Sequence, residues 1–341
     1  MKKSLLVIPS LFTMVLSACG KATYAVKDYT MEFEIDDSKT ELRLLQLTDL
    51  HIGDKDNFET HKKFLDLIID DEKTKADFIV VTGDLFTFAS KTTAYRLFDY
   101  FDSKNIPWTV TFGNHDEQCY FSATWLVDTL AAYAKKENHL CYFNDIQDKD
   151  DVDGFANFAI NVHNTANTFK EQLIVMDSNR YKFAPIVEYV GYDYFHQNQI
   201  DWYTRLVTTS KNEGYTHSLM FYHIPLPEIN KAREEAAKDP SMFELPSLNA
   251  DVNEKACPPD EDLNFFKTIS MLGSTKGMYF GHDHYNDFII KYGGIDFGYG
   301  LKSTDRVYYD DSMLGGRLIK VTTSTHDIAY ENIVHTYEEV K

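Results

Sequence analysis

The chain has 341 residues, enough for one large domain or two modest ones with a substantial core. Hydrophobic residues make up 43% and charged residues 26%, an ordinary globular balance. The formal net charge of -19 at pH 7 repels nucleic-acid backbones and anionic lipid headgroups, so no nucleic-acid-binding surface is expected.

The first residues read MKKSLLVIPSLFTMVLSACGK. Lys2 and Lys3 precede an apolar run from Leu5 to Leu16. That run fits the core of a secretory leader and falls short of the roughly 18 residues of a membrane-spanning helix. It ends in LSAC, and a small residue directly before Cys19 resembles the cleavage box of bacterial lipoproteins. The resemblance implies a signal peptide over residues 1–18 and a lipid on Cys19, which would anchor an exported protein to the outer face of the bacterial cell membrane. Residues 19–40 read as a tether and first strand, and 41–341 as a single domain. Of the remaining cysteines, Cys119 and Cys141 are the nearest pair for a disulfide in an exported chain; Cys257 stands apart.

From residue 41 a pattern repeats. ELRLLQL (41–47) alternates apolar and polar positions and leads into TDLHIG. ADFIVV (76–81) leads into TGDLF, IPWTVTF (106–112) into GNHDE, THSLMFY (216–222) into HIPLPE, and KGMYF (276–280) into GHDHYND. Each apolar, β-branched or aromatic run predicts a strand. Apolar positions at helical spacing predict helices over 58–73, 92–103, 122–136 and 197–211. A second set of strands is expected over 155–163, 171–178, 316–324 and 327–336. The polar, proline-bearing stretch 231–262 reads as an excursion over the surface near the site. Strand–helix alternation predicts an α/β fold, and in such sheets ligands bind beyond the carboxyl ends of the strands.

Those ends supply Asp49, His51, Asp84, Asn114, His115, His223, His282 and His284. Carboxylate and imidazole without thiolate suit Mn, Fe, Zn or Co. Two divalent ions at close range need a bridging anion, and an aspartate with its two oxygens can serve; Asp84 is the candidate. The neutral oxygen of Asn114 can complete a metal shell without adding negative charge.

The order D-x-H, G-D, G-N-H-D, lone His, G-H-x-H resembles the calcineurin-like metallophosphoesterase superfamily. Here it is carried by DLH (49–51), GD (83–84), GNHD (113–116), His223 and GHDH (281–284). The resemblance implies two mixed β-sheets packed as a sandwich and flanked by helices, a four-layer αββα arrangement. It implies two divalent metal ions: Asp49, His51 and His284 on one, Asn114, His223 and His282 on the other, Asp84 between them. A hydroxide bridging the metals would attack the phosphorus of a phosphoester substrate, and His115, not a ligand, would protonate the leaving oxygen. Asp116 and Glu117 are candidates to orient His115 from behind. The alternative is an inactive cell-surface lipoprotein that binds metal or a phosphorylated ligand.

GHDHYNDF, GYGLKSTD, GGRLIKV, FYHIPLPE and EKACPPD are similar to a branch related to purple acid phosphatases. Purple enzymes carry a tyrosine three residues after the bridging aspartate; this chain has Thr87 there, and His51 where they usually lack a histidine. No tyrosinate-to-iron colour is therefore expected. Asp177, Asp283 and Asp287 read as loop-shaping residues, and Arg180 and Arg317 as candidate phosphate contacts.

Overall fold

The structure is a computed structural model and describes residues 30–144, 152–184 and 188–341. The leader expected over 1–18 and Cys19 lie outside the described residues. The chain runs through β1 (Thr30–Ile35), β2 (Glu41–Leu47), α1 (Phe58–Ile69), β3 (Phe78–Thr82), α2 (Lys91–Ser103), β4 (Trp108–Thr111) and α3 (Ala123–Ala134). It continues through β5 (Phe158–Asn164), β6 (Lys170–Val175), β7 (Tyr181–Ala184), β8 (Glu188–Tyr192), α4 (Gln197–Asn212), β9 (Ser218–Phe221), α5 (Glu228–Ala236) and β10 (Phe243–Leu245). The last elements are α6 (Phe265–Leu272), β11 (Thr275–Phe280), β12 (Ile289–Tyr292), β13 (Ile295–Tyr299), β14 (Gly315–Thr322) and β15 (Ile328–Val334).

The described strands form two mixed sheets and a hairpin. One sheet has the order β15-β14-β2-β3-β4, with β2, β3 and β4 parallel and β14 antiparallel to β2. The other has the order β1-β5-β6-β9-β11-β13-β12-β10, with β6, β9, β11 and β13 parallel. Strands β7 and β8 pair only with each other.

Side-chain alternation along the central strands separates two cores. Leu173, Val175, Leu219, Phe221 and Tyr279 face the smaller sheet and join a core shared with α1, α2 and α3. Their neighbours Ile174, Met176, Met220, Tyr222, Met278 and Phe280 face the other way, into a core with α4, α5 and α6. A strand buried on both faces must be apolar at every position, which is why β3 and β9 read as continuous apolar runs. The sheets touch through contacts such as Phe33 on Phe78, ring centroids 5.2 Å apart, and α2 packs Phe98 and Phe101 on Trp108 of β4. Each such fully buried side chain contributes about 1.5–3 kcal/mol of hydrophobic free energy. The result is the four-layer α/β sandwich that the motif order implied. Among the described residues no helix is long and apolar enough to cross a membrane.

The 231–262 stretch is more structured than expected. It holds the end of α5 and the strand β10, which pairs antiparallel with β12 and extends the larger sheet. Cys119, Cys141 and Cys257 are all free thiols, Cys141 buried and Cys257 exposed.

Candidate metal centre

The carboxyl ends of β2, β3, β4, β9 and β11 converge at one place, where the two sheets meet. Gln46 Nε2 at the end of β2 donates to Phe280 O at the end of β11 (3.1 Å) and to Thr82 Oγ1 (3.0 Å). The loops after β2 and β3 are zipped together by His51 N to Asp84 O (2.8 Å) and Ile52 N to Leu85 O (3.0 Å). Asp49, His51, Asp84 and His282 all have positive φ, at 54°, 48°, 50° and 81°. A non-glycine residue in that region costs on the order of 1 kcal/mol or more, and such strain persists only where surrounding contacts enforce it.

The glycines that open GNHD and GHDH have a steric cause. A Cβ on Gly113 would lie 2.2 Å from Asp84 Oδ1, and one on Gly281 would lie 2.0 Å from Thr48 Oγ1 and 2.4 Å from Asp49 Oδ2. The carboxylates occupy the space a larger residue would need.

Two groups of buried side chains present ligand atoms close together: Asp49, His51 and His284, and Asp49, Asp84 and His223. His51 Nε2 and His284 Nε2 face each other at 3.1 Å. Asp84 Oδ2 lies 3.5 Å from His51 Nε2 and 3.2 Å from His223 Nε2, within reach of a histidine of each group, while Asp49 is common to both groups. Asp49 Oδ1 lies 3.3 Å from His284 Nε2 and 4.0 Å from His223 Nε2.

Three of these imidazoles are held from the far side. His223 Nδ1 donates to Thr82 O (2.7 Å) and His284 Nδ1 to Tyr308 O (2.8 Å), and His51 Nδ1 is hydrogen-bonded to Thr87 Oγ1 (2.8 Å). A carbonyl partner requires Nδ1 to donate, which fixes the tautomer of His223 and His284 and leaves the Nε2 lone pair directed at the cluster. His223 Nε2 and Asn114 Oδ1 are buried without a hydrogen-bond partner. Asn114 is oriented by donating its Nδ2 to the Tyr181 hydroxyl (2.6 Å). Buried polar atoms are almost always paired, so two unpartnered atoms on residues beside Asp84 fit a cation. The donor set, carboxylate, imidazole and one amide oxygen, fits a pair of divalent ions.

His282 is placed differently. Its backbone amide lies 3.3 and 3.1 Å from the two Asp49 oxygens. Its ring meets Tyr192 edge-on at 4.5 Å and His223 at 5.3 Å between centroids. Burial, reinforced by His223, lowers its pKa to about 3, which keeps the ring neutral. Burial opposes charge on His223 as well, but Asp84 and Asp49 outweigh it and raise that group to about 10, so the two carboxylates draw positive charge, whether a proton or a cation, to its Nε2. Burial likewise works against ionised Asp49, yet the hydrogen bond and charge of His284 hold its carboxyl well below the usual range.

His115 sits at the edge of the cluster. Its amide donates to Asp84 Oδ1 (2.8 Å), and its ring meets His51 edge-on at 5.0 Å. The side chain on its Nδ1 is Gln118, at 2.8 Å, rather than Asp116 or Glu117. Asp116 instead accepts the amides of Gly113 (2.8 Å) and Phe86 (3.0 Å), tying the third motif to the second; burial and the Asp84 charge raise it to about 8. Glu117 pairs with Arg180, which also approaches Asp177 at 3.9 Å. Arg317 is fully buried and donates to the Asp287 and Tyr299 carbonyls, so it does not reach the site. Asp177 accepts the amides of Phe155 and Asn179, Asp283 that of Cys257 and Asp287 that of Leu248, all shaping loops.

Sequence reasoning missed several neighbours. Lys302 is buried, donates Nζ to Asp49 O (2.7 Å), and is lowered to about 8 by burial despite the Asp49 charge. Tyr181 and Tyr192 come from the β7–β8 hairpin, and Tyr308 stacks on His284 with centroids 4.1 Å apart. Lys302 lies within the GYGLKSTD segment and was within reach of a closer reading; the tyrosines carry no motif.

Known proteins bear on the same residues. The chain is 28% identical over 245 residues to an Arabidopsis thaliana protein named probable inactive purple acid phosphatase 29, covering 66% of this chain and 59% of that one. The chain thus spans less than two thirds of that relative. It is 25% identical over 332 residues to probable inactive purple acid phosphatase 14 of the same plant, covering 85% of this chain and 76% of the relative. Its fold is similar to that of a dimetal phosphatase from Danio rerio, with a TM-score of 0.51, 12% identity, and coverage of 86% of this chain and 99% of the other. The calcineurin-like phosphoesterase family matches residues 42–299. A match of that extent, running through every motif from Asp49 to His284, makes the chain a member of the calcineurin-like phosphoesterase family.

Proposed function

We infer that this protein is a metal-dependent phosphoesterase that hydrolyses phosphate esters at the Asp–His cluster. The observation that carries the reading is a pair of buried, unpartnered atoms, His223 Nε2 in the cluster with Asp49 and Asp84, and Asn114 Oδ1 on a residue that lines the same cleft as Asp84. In this reading Asp49, His51 and His284 hold one divalent ion, Asn114, His223 and His282 the other, and Asp84 spans both. Ions bound there would polarise phosphoryl oxygens and make a water acidic enough to attack phosphorus near neutral pH.

The chain's own residues supply the rest. His115, with Nδ1 committed to Gln118, offers Nε2 to the leaving oxygen as proton donor. The hydrogen bonds behind His51, His223 and His284 keep their Nε2 atoms in place without reorganisation. Two aspartates against two dications leave the site positive, so it attracts a phosphate ester despite the chain's net charge of -19. The leader and Cys19 support export and lipid anchoring at the outer face of the cell membrane; Cys19→Ser would then release the protein from the membrane fraction.

A second reading, a cell-surface protein that captures metal or a phosphorylated ligand without turnover, is favoured by the names of the two plant relatives, which call them inactive. Against it, all eight positions of the motif set are filled here. Metal reconstitution separates the two. Chelator-stripped protein is given Mn²⁺, Fe²⁺, Zn²⁺, Co²⁺ or Mg²⁺ and assayed on a phosphomonoester and a phosphodiester. Turnover restored by an ion supports the enzyme; two bound ions per chain with no turnover of any ester supports the binding protein.

A further inference from the structure

The cleft over the cluster is small, about 120 Å³, and is bounded by Asp84, Asn114, His115, His282 and His284 together with Tyr192 and Cys257. Sites that bury an organic ligand start at roughly 300 Å³. The cleft can take the phosphoryl group, and the alcohol of an ester must lie elsewhere. Tyr192 and Cys257 also line a second groove of about 420 Å³, so the two spaces adjoin.

The walls of this groove have a definite chemistry. They include Tyr189 and Tyr192 from β8, and Pro227, Pro258 and Pro259. Asn230 and Lys255 add hydrogen-bond donors. The tyrosines form a fixed aromatic block. Tyr181 and Tyr192 are stacked, with centroids 5.7 Å apart and planes at 27°, and Tyr189 meets them at 5.6 and 6.0 Å. The block is keyed to the metal centre by the Tyr181 hydroxyl on Asn114 and by Tyr192 against His282. Yet Tyr189 remains 51% exposed, leaving ring surface open to the groove. Flat aromatic and proline faces around a space of this size match a planar ring, which gains from stacking and carries no charge for an acidic protein to repel.

We propose that this groove is the leaving-group subsite and that it selects phosphate esters whose alcohol carries a planar ring system, a nucleobase or an aryl group; the proposal rests on the phosphoesterase reading above. Hydrolysis adds water across the phosphorus–oxygen ester bond: the water's hydroxyl goes to phosphorus, His115 as an imidazolium gives its Nε2 proton to the departing oxygen and is reprotonated by the proton the water releases, and the ring-bearing alcohol leaves through the groove.

The test compares esters that differ only in the ring. Adenosine 5′-monophosphate and ribose 5-phosphate share ester and sugar, so leaving-group acidity is matched. A naphthylmethyl phosphate and cyclohexylmethyl phosphate ask the same question without a nucleoside. For the metal-loaded protein, kcat/KM is expected to favour the ring-bearing member by roughly tenfold in at least one pair. Preference in the first pair alone identifies a nucleobase site, in the second alone an aryl site, in both a general planar-ring site. Tyr189→Ala should reduce that preference several-fold, by lowering kcat/KM for the ring-bearing member more than for its ring-less partner, and Tyr189→Phe should keep it. Equal rates within both pairs, or a preference untouched by Tyr189→Ala, overturn the proposal. Should the metal-loaded protein turn over no ester at all, the phosphoesterase reading fails, and the same pairs are compared by calorimetric Kd. A tenfold tighter Kd for the ring-bearing member then upholds the groove, and equal Kd values overturn it.

Discussion

The Thr87 hydroxyl is hydrogen-bonded to His51 Nδ1 at 2.8 Å, on the side of the ring opposite Asp84. Position 87 is where purple acid phosphatases carry a tyrosine ligand, and His51 is the histidine they usually lack. Here the two differences form one device: Thr87 orients an imidazole that presents Nε2 to the cluster. Thr87→Val keeps the shape and removes the hydrogen bond. It should weaken the binding of one ion by about 10–100-fold, with Thr87→Ser near wild type, as read by metal titration calorimetry.

His115 stands apart from both groups of ligand atoms. His115→Ala should therefore lower kcat by about 10²–10⁴ while leaving two metals per chain. Asp84→Ala removes the carboxylate within reach of a histidine of each group and should lose metal and activity together. Metal content by elemental analysis beside kcat distinguishes the two variants; equal metal loss in both would show His115 to be a ligand.

Gly281→Ala drives a methyl group into Thr48 and Asp49. The expected cost is about 1–3 kcal/mol of stability, with metal binding abolished. Gly294→Ala is the control. Its Cβ would meet nothing within 4 Å, and its φ of 80° costs about 1 kcal/mol without affecting the site. Chemical denaturation and metal counting on both variants check the contrast.

His196, before α4, has Nδ1 2.6 Å from Asp153 and Nε2 3.2 Å from Asp193. The Asp193 hydrogen bond, against partial burial and with help from Asp153, raises its pKa from 6.5 to about 9. The folded state thus holds this proton more tightly than the unfolded chain. The stabilisation is complete below pH 6.5 and is lost as pH rises through about 9. His196→Ala should lower Tm at pH 6 and make little difference above pH 9. A gap that does not narrow with rising pH would refute the assignment.

Much of this architecture was legible in the sequence because burial on both faces leaves a signature. Residues 41–47, 76–81 and 276–280 are continuous or alternating apolar runs, and each proved to be a strand within two residues of its expected ends. The ligand side chains were legible for a related reason: polar residues directly after buried strands have little else to do. The anchors behind them were not. Thr82 O and Tyr308 O hold His223 and His284, and a backbone carbonyl has no residue type to betray it. The β12–β13 hairpin carried a usable signal in its Gly293-Gly294 turn, both with positive φ. The β7–β8 hairpin, whose tyrosines flank the site, packs as an appendage to neither sheet and follows no core periodicity.

Asp49, Asp84 and Asn114 follow strands of the smaller sheet, and His223, His282 and His284 follow strands of the larger one. Ions held among them are rivets through the seam between two layers that are otherwise joined by side-chain packing and hydrogen bonds such as Gln46 Nε2 to Phe280 O. Loading the site should then fuse the sandwich into a single cooperative unit, adding to stability in proportion to the logarithm of free metal. Chelation would unpin the two halves at the same point where catalysis is lost.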